Sequence, residues 1–122
     1  MNWEITYRPE EKILSVKTGG VLEKESVLKM IVEASGFLTE HQCHRCLVDH
    51  TGIESTQIGI TDIYGMPKVY DAVGLPRDLK LAMVVPQKYF DLFKFLETVD
   101  YNFGYTISVF MDTGPAVRWL KS

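Results

Sequence analysis

The apolar residues of this chain change their spacing several times, and a chain that does so must alternate strands with helices. Trp3 to Tyr7 and Ile13 to Lys17 alternate apolar with polar residues, as half-buried strands do. Between them Arg8-Pro9-Glu10-Glu11-Lys12 reads as a turn, so the pair predicts an antiparallel hairpin. After Thr18-Gly19-Gly20 the period lengthens. Val27, Leu28, Ile31, Val32, Ser35 and Leu38 recur at helical spacing, with Glu23 and Glu25 at the positive end of the helix dipole.

Arg45-Cys46-Leu47-Val48-Asp49 is a short apolar run that reads as a central strand, followed by a polar loop from His50 to Thr61. A second helix is expected from Thr61, its N-cap candidate, through Ile63, Tyr64, Pro67, Tyr70 and Val73. Gly74-Leu75-Pro76 stops it. Leu79 to Val85 predicts another strand, Tyr89 to Phe103 a third helix with Gly104 after it, Thr106 to Met111 the last strand, and Thr113 to Lys121 a short final helix. The order β-β-α-β-α-β-α-β-α predicts a single α/β domain over residues 1–122. Its sheet would be mixed, mostly parallel and five-stranded, with about four helices. Alternate residues of the strands separate an apolar face, Leu14, Val16, Leu81, Met83, Ile107 and Val109, from a more polar one, Ser15, Lys17, Lys80 and Ser108. Helices are therefore expected mainly on one face.

Thirteen basic against sixteen acidic residues give a net charge of -3 with no basic run, which argues against nucleic acid as a partner. The first dozen residues hold no apolar signal segment, and apolar runs such as Leu81 to Val85 fall far short of the roughly 20 residues that span a bilayer. A cytoplasmic protein without a membrane span is expected.

The polar loop is where an α/β sheet would place a site, beyond the carboxyl end of a strand and ahead of a helix. Asp49, His50, Glu54, Ser55, Thr56, Thr61, Asp62 and Tyr64 gather there in sequence. Asp49, His50 and Ser55 are the residue types of a hydrolytic triad, but neighbours on an extended chain point to opposite sides, and no nucleophile elbow or phosphate-cradling glycine loop is present. A turn-forming, capping loop is the simpler reading.

The segment His41-Gln42-Cys43-His44-Arg45-Cys46 offers a second chemistry. Cys43 and Cys46 have zinc-knuckle or redox spacing, and His41 or His44 could add ligands. This pair enters a strand, however, where a redox pair would open a helix. A buried Cys46 beside solvent-facing histidines is preferred over a metal or thiol enzyme, and no cofactor is expected. In the third helix Phe90, Phe93 and Phe95 widen the apolar arc beyond one sheet face. Such an arc is either covered by neighbouring helices or left as an apolar patch for a homodimer or a small apolar ligand.

The order of elements, with the phrases Thr61-Asp62-Ile63-Tyr64-Gly65-Met66-Pro67, Gly74-Leu75-Pro76, Leu81-Ala82-Met83-Val84-Val85-Pro86, Phe95-Leu96-Glu97-Thr98-Val99, Asn102-Phe103-Gly104, Val109-Phe110 and Ala116-Val117-Arg118-Trp119-Leu120, resembles the STAS or SpoIIAA-like superfamily, in particular its small stand-alone bacterial members. The resemblance implies a β-α superhelix related to the CRAL-TRIO lipid-transfer fold, acting by binding and not by catalysis. It implies a regulatory domain whose protein partner meets Asp49, Ser55, Thr56, Thr61, Asp62 and Tyr64. The alternative is a carrier of a small apolar or lipid-like ligand. Anti-sigma-factor antagonists of this fold are phosphorylated on a serine in an Asp-Ser-Ser-Gly turn at the start of the helix after the central strand. The comparable stretch here is Ile53-Glu54-Ser55-Thr56-Gln57-Ile58-Gly59, which lacks that turn and offers Ser55 or Thr56 as phosphoacceptors.

Overall fold

The computed structural model describes all residues, 1–122. Its elements are β1 (Asn2–Arg8), β2 (Ile13–Leu22), α1 (Lys24–Glu40), β3 (Arg45–Asp49), β4 (Ile53–Thr56), α2 (Ile60–Val73), β5 (Lys80–Val84), α3 (Phe90–Asn102), β6 (Thr106–Phe110) and α4 (Thr113–Lys121). The alternating segments 3–7 and 13–17 form the expected antiparallel hairpin, with Ile5 opposite Val16. The sheet then runs β1-β2-β3-β5-β6, every pair after the first parallel.

One strand exceeds the expected five. The polar stretch after the central strand contains β4, which pairs in parallel with the last residues of β2, past an irregularity at Gly20 and Val21. The ten-residue β2 thus serves two partners in succession, β3 along Leu14 to Lys17 and β4 along Gly20 to Leu22. Gly20 adopts φ +75, a conformation that costs glycine little.

The two sheet faces differ as their alternation predicts. Leu14, Val16, Cys46, Val48, Met83, Ile107 and Val109 belong to a large core under α1, α2 and α3. Ile13, Leu47, Ala82 and Val84 meet Ala116 and Leu120 of α4 in a core of six buried residues, flanked by the partly buried Phe110, Val117 and Trp119. On that smaller face Lys80 extends its ammonium over the Trp119 ring and donates to the Trp119 carbonyl at 2.6 Å, a favourable place for a cation at a helix C-terminus.

The helix ends follow local chemistry. Gly74 closes α2 in the left-handed region at φ 76, and Gly104 follows α3 at φ 85. The edge strand β6 is shielded where Glu97 of α3 accepts from the Val109 N–H at 2.9 Å. No helix is long and apolar enough to cross a membrane.

Since α4 holds its sheet face through few side chains, Leu120→Ala should cost about 2–5 kcal/mol. Urea unfolding of the variant against the parent protein measures this. A loss under about 1 kcal/mol would mean that α4 is not a structural part of the fold.

Candidate functional site

The loop and helix start beyond β3 are built largely by the acidic residues predicted to bind there. Asp49 Oδ1 accepts from both the N–H and the hydroxyl of Thr51, at 2.9 and 2.6 Å, and turns the chain out of β3. Asp62 Oδ2 accepts from the Gly59 N–H at 2.9 Å, while Asp62 Oδ1 lies 3.8 Å from the Lys24 ammonium at the start of α1. The expected N-cap at Thr61 is therefore corrected. The cap residue is Gly59, and Asp62, at the third position of the helix, accepts from its backbone N–H, the one half of a capping box that a glycine cap permits. Thr61 sits exposed in the first turn of α2.

Ser55 and Thr56 are likewise displaced from their expected place. Both lie in β4, opposite Val21 and Leu22, and the helix begins only at Ile60. The Thr56 hydroxyl accepts from the Ile58 N–H at 3.0 Å. The phosphoacceptor position at a helix start, implied by resemblance for Ser55 or Thr56, is thus held by neither. Glu54 points to solvent from the same strand.

His50 departs furthest from expectation. Its assignment to a polar, solvent-facing loop is corrected by its burial, with only 3% of its surface exposed. The Thr18 hydroxyl is 2.7 Å from His50 Nδ1 and 3.2 Å from the Asp49 carbonyl, and the ring stacks against Phe93. Burial lowers the His50 pKa to about 4 despite the neighbouring Asp49 carboxylate. Asp49, His50 and Ser55 thus face three different environments and form no relay.

The cysteine and histidine segment disperses as well. Cys43 Sγ lies near the carbonyls of Lys12 and Arg45, at 3.3 and 3.1 Å, and Cys46 is buried within β3, where burial and the nearby Cys43 push its thiol up to about 12. His41 stacks on Tyr7, while His44 Nδ1 meets the Asp78 carboxylate at 3.2 Å. The four side chains do not converge on a point that a metal could occupy.

Phe93 is buried in the main core, so the patch proposed for Phe90, Phe93 and Phe95 is corrected. Phe90 and Phe95 are partly buried flanks of that core. The exposed large apolar side chains are instead Val32, Tyr101, Phe103 and Met111, each at a separate place in the sequence, and the pair Ile60 and Tyr64 on α2. Ile60 and Tyr64, one turn apart, expose 52% and 59% of their surface, and the Tyr64 ring packs edge-on against Phe95. Ile60 carried a signal that sequence reading passed over, since it falls outside the buried stripe of Ile63, Met66, Pro67 and Tyr70.

Asp100 was also missed. It lies on the core stripe of α3 with Phe93 and Leu96, and its Oδ2 accepts from the Tyr70 hydroxyl at 3.0 Å. Its Oδ1 is fully enclosed without a partner. Burial raises the Asp100 pKa to about 7, against the opposing effect of the Tyr70 bond. Tyr105 packs edge-on against Tyr70 and hands its own hydroxyl to Asp71, which is also paired with Arg77.

No sequence-family model and no curated protein matches the chain. Solved structures do. An anti-sigma factor antagonist from Mycobacterium paratuberculosis superposes with a TM-score of 0.64 at 11% identity, over 99% of this chain and 96% of that one. An uncharacterized protein of the DUF3478 family with a SpoIIAA-like fold, from Shewanella loihica PV-4, gives 0.61 at 16% identity, over 98% and 92%. The chain has the STAS, or SpoIIAA-like, fold. In this SpoIIAA-like domain β3 runs into the Asp49 turn and β4 into the first turn of α2, so the exposed pair Ile60 and Tyr64 lies a short way beyond the carboxyl ends of these two strands.

Two of the buried titratable groups, His50 and Asp100, make opposed demands on stability. Between about pH 4 and its ordinary 6.5, His50 is neutral when folded and charged when unfolded, so stability is lost as pH falls. From its ordinary 3.8 to about 7, Asp100 is protonated when folded and ionised when unfolded, so stability is lost as pH rises. In Asp100→Asn the His50 slope should stand alone, on the order of 1 kcal/mol per pH unit between pH 6.5 and 4. The variant should also exceed the parent by about 1–2 kcal/mol at pH 8, where the ionised carboxylate is most costly. Denaturant unfolding across this range measures both; identical pH profiles for the two proteins would contradict the burial of an unpartnered Asp100.

Proposed function

We propose that the domain is non-catalytic and regulatory, and that it captures a protein partner on the surface from the Asp49 turn to Tyr64. The exposure of Ile60 and Tyr64 on the first turns of α2 carries this reading. Leaving both side chains in water forgoes the roughly 1.5–3 kcal/mol that full burial of such a side chain yields. A partner that covers them recovers part of it, and aromatic anchors of this kind often dominate protein interfaces. Thr61 beside them contributes a free hydroxyl at the rim, while Asp49 and Asp62 hold the backbone that presents the surface. Ser55 and Thr56 extend the surface along β4. A full-length structural neighbour described as an anti-sigma factor antagonist supports action by binding another protein.

Photo-crosslinking residues placed singly at 60, 61 and 64 in the organism's own cells test this, with position 32 on α1 as control because Val32 is equally exposed there. The same protein should be captured from all three α2 positions and not from 32, and capture from 61 should fall at least tenfold when Ile60→Asp and Tyr64→Asp are combined. Capture of a second copy of this chain would identify the surface as a homodimer contact. Equal yields from α1 and α2 would place the partner surface elsewhere.

A further inference from the structure

Under the helices, against the apolar face of the sheet, lies a cavity of about 80 Å³ lined by fourteen residues, of which His50 and Tyr70 alone carry side-chain nitrogen or oxygen, and the Tyr70 hydroxyl is given to Asp100. Its walls include Met30, Ile63, Met66, Met83 and Phe93. A second void of about 50 Å³ shares the walls Met30, Ile31, Val48, Tyr70 and Leu81.

The hydrogen bonds of Thr18 fix the chemistry His50 presents. A threonine hydroxyl has one proton to give. Both of its contacts become hydrogen bonds only if His50 Nδ1–H donates to Thr18 Oγ1 and the hydroxyl donates on to the Asp49 carbonyl. The buried ring is neutral, so Nε2 then carries a bare lone pair. Nε2 has no partner within the protein. Asp100 Oδ1 is the one fully enclosed side-chain oxygen or nitrogen lacking a partner, so Nε2 borders open space, and the open space that this ring lines is the cavity.

We propose that the cavity binds a small neutral molecule, apolar except for one hydroxyl, an alkanol or a phenol, which donates its hydrogen bond to His50 Nε2. Water is a poor occupant, because a buried water needs two to four polar partners and this wall offers one acceptor. A purely apolar guest fits the walls but leaves the acceptor unsatisfied. An anion would place its charge among apolar side chains beside a neutral ring and a lone pair. The cavity at His50 has about half the roughly 150 Å³ of an apolar cavity known to take benzene, and the flexible side chains of Met30, Met66 and Met83 must shift to admit a guest of that size. This site is independent of partner capture on Ile60 and Tyr64, and either can fail without the other.

Phenol and toluene, nearly identical in shape, separate the hydroxyl from the ring. Carbon-13 methyl signals of Met30, Met66 and Met83 in the intact protein report occupancy. Phenol should shift the three together and saturably, binding at least as tightly as toluene. In His50→Phe, which keeps an aromatic ring against Phe93, the ratio of phenol to toluene affinity should fall about tenfold or more. Nitrogen-15 spectra of the parent protein provide a reading that needs no variant: Nδ1 should carry the proton, and Nε2 should be bare and should shift when phenol is added. The proposal is overturned if phenol gives no saturable shift, if His50→Phe leaves the ratio unchanged, or if Nε2 carries the proton.

Discussion

The chain beyond the central strand is tied to β2 by one buried hydroxyl. Thr18, midway along β2, reaches across to the carbonyl of Asp49 and to the ring of His50, which it ties beneath the sheet's apolar face. Without that partner a histidine at this depth would leave Nδ1 unsatisfied, at a cost of about 1–3 kcal/mol, and would tend to swing out to water. With it the chain after β3 is drawn back along β2. There β4 adds to the strand's far end, and α2 begins close to the start of α1 through the Lys24 and Asp62 pair. The surface of Ile60 and Tyr64 and the cavity lined by His50 are two sides of this one arrangement.

Two of the polar groups kept inside the fold, His50 and Asp100, differ in how well they are satisfied. His50 is neutral with one nitrogen bound and one facing a void, whereas Asp100 has one oxygen bound and the other enclosed by packed atoms. A fully enclosed acceptor suits a group that holds its proton, which is the state burial favours for Asp100 at and below neutral pH. An acceptor beside a void suits a guest that brings the missing proton. The same low dielectric thus makes one group a cost on stability and the other a point of recognition.

Most of the architecture was legible because it rests on periodicity. The hairpin, the four helices, the parallel strands and the contrast between the sheet faces all follow from spacings of two or of three to four residues. Features that depend on partners distant in sequence were not. His50 reads as a loop residue until Thr18, thirty-two positions away, is seen to bind it. Asp100 draws no notice until Tyr70 is seen to bind it, although its position on the stripe of Phe93 and Leu96 was visible. The four residues of β4, with Glu54, Ser55 and Thr56 among them, carry no apolar period of their own, and their pairing is set by the length of β2. Thr61 looked like the cap because a hydroxyl can cap, whereas the helix is capped from within by Asp62 around a glycine. Within the candidate segment, Asp49 and Asp62 build the turn and the helix start, Ser55 and Thr56 lie in β4, and Thr61 and Tyr64 stand exposed beside Ile60.

The measurement closest to the centre of this account is a nuclear magnetic resonance titration of the His50 ring. Held by Thr18 beneath the sheet, it should stay neutral down to about pH 4, with the protein still folded through most of that range. A ring that titrates near its ordinary 6.5 would show that His50 lies in water. The path of the chain from β3 to α2, with the cavity and the surface built on it, would then be wrong.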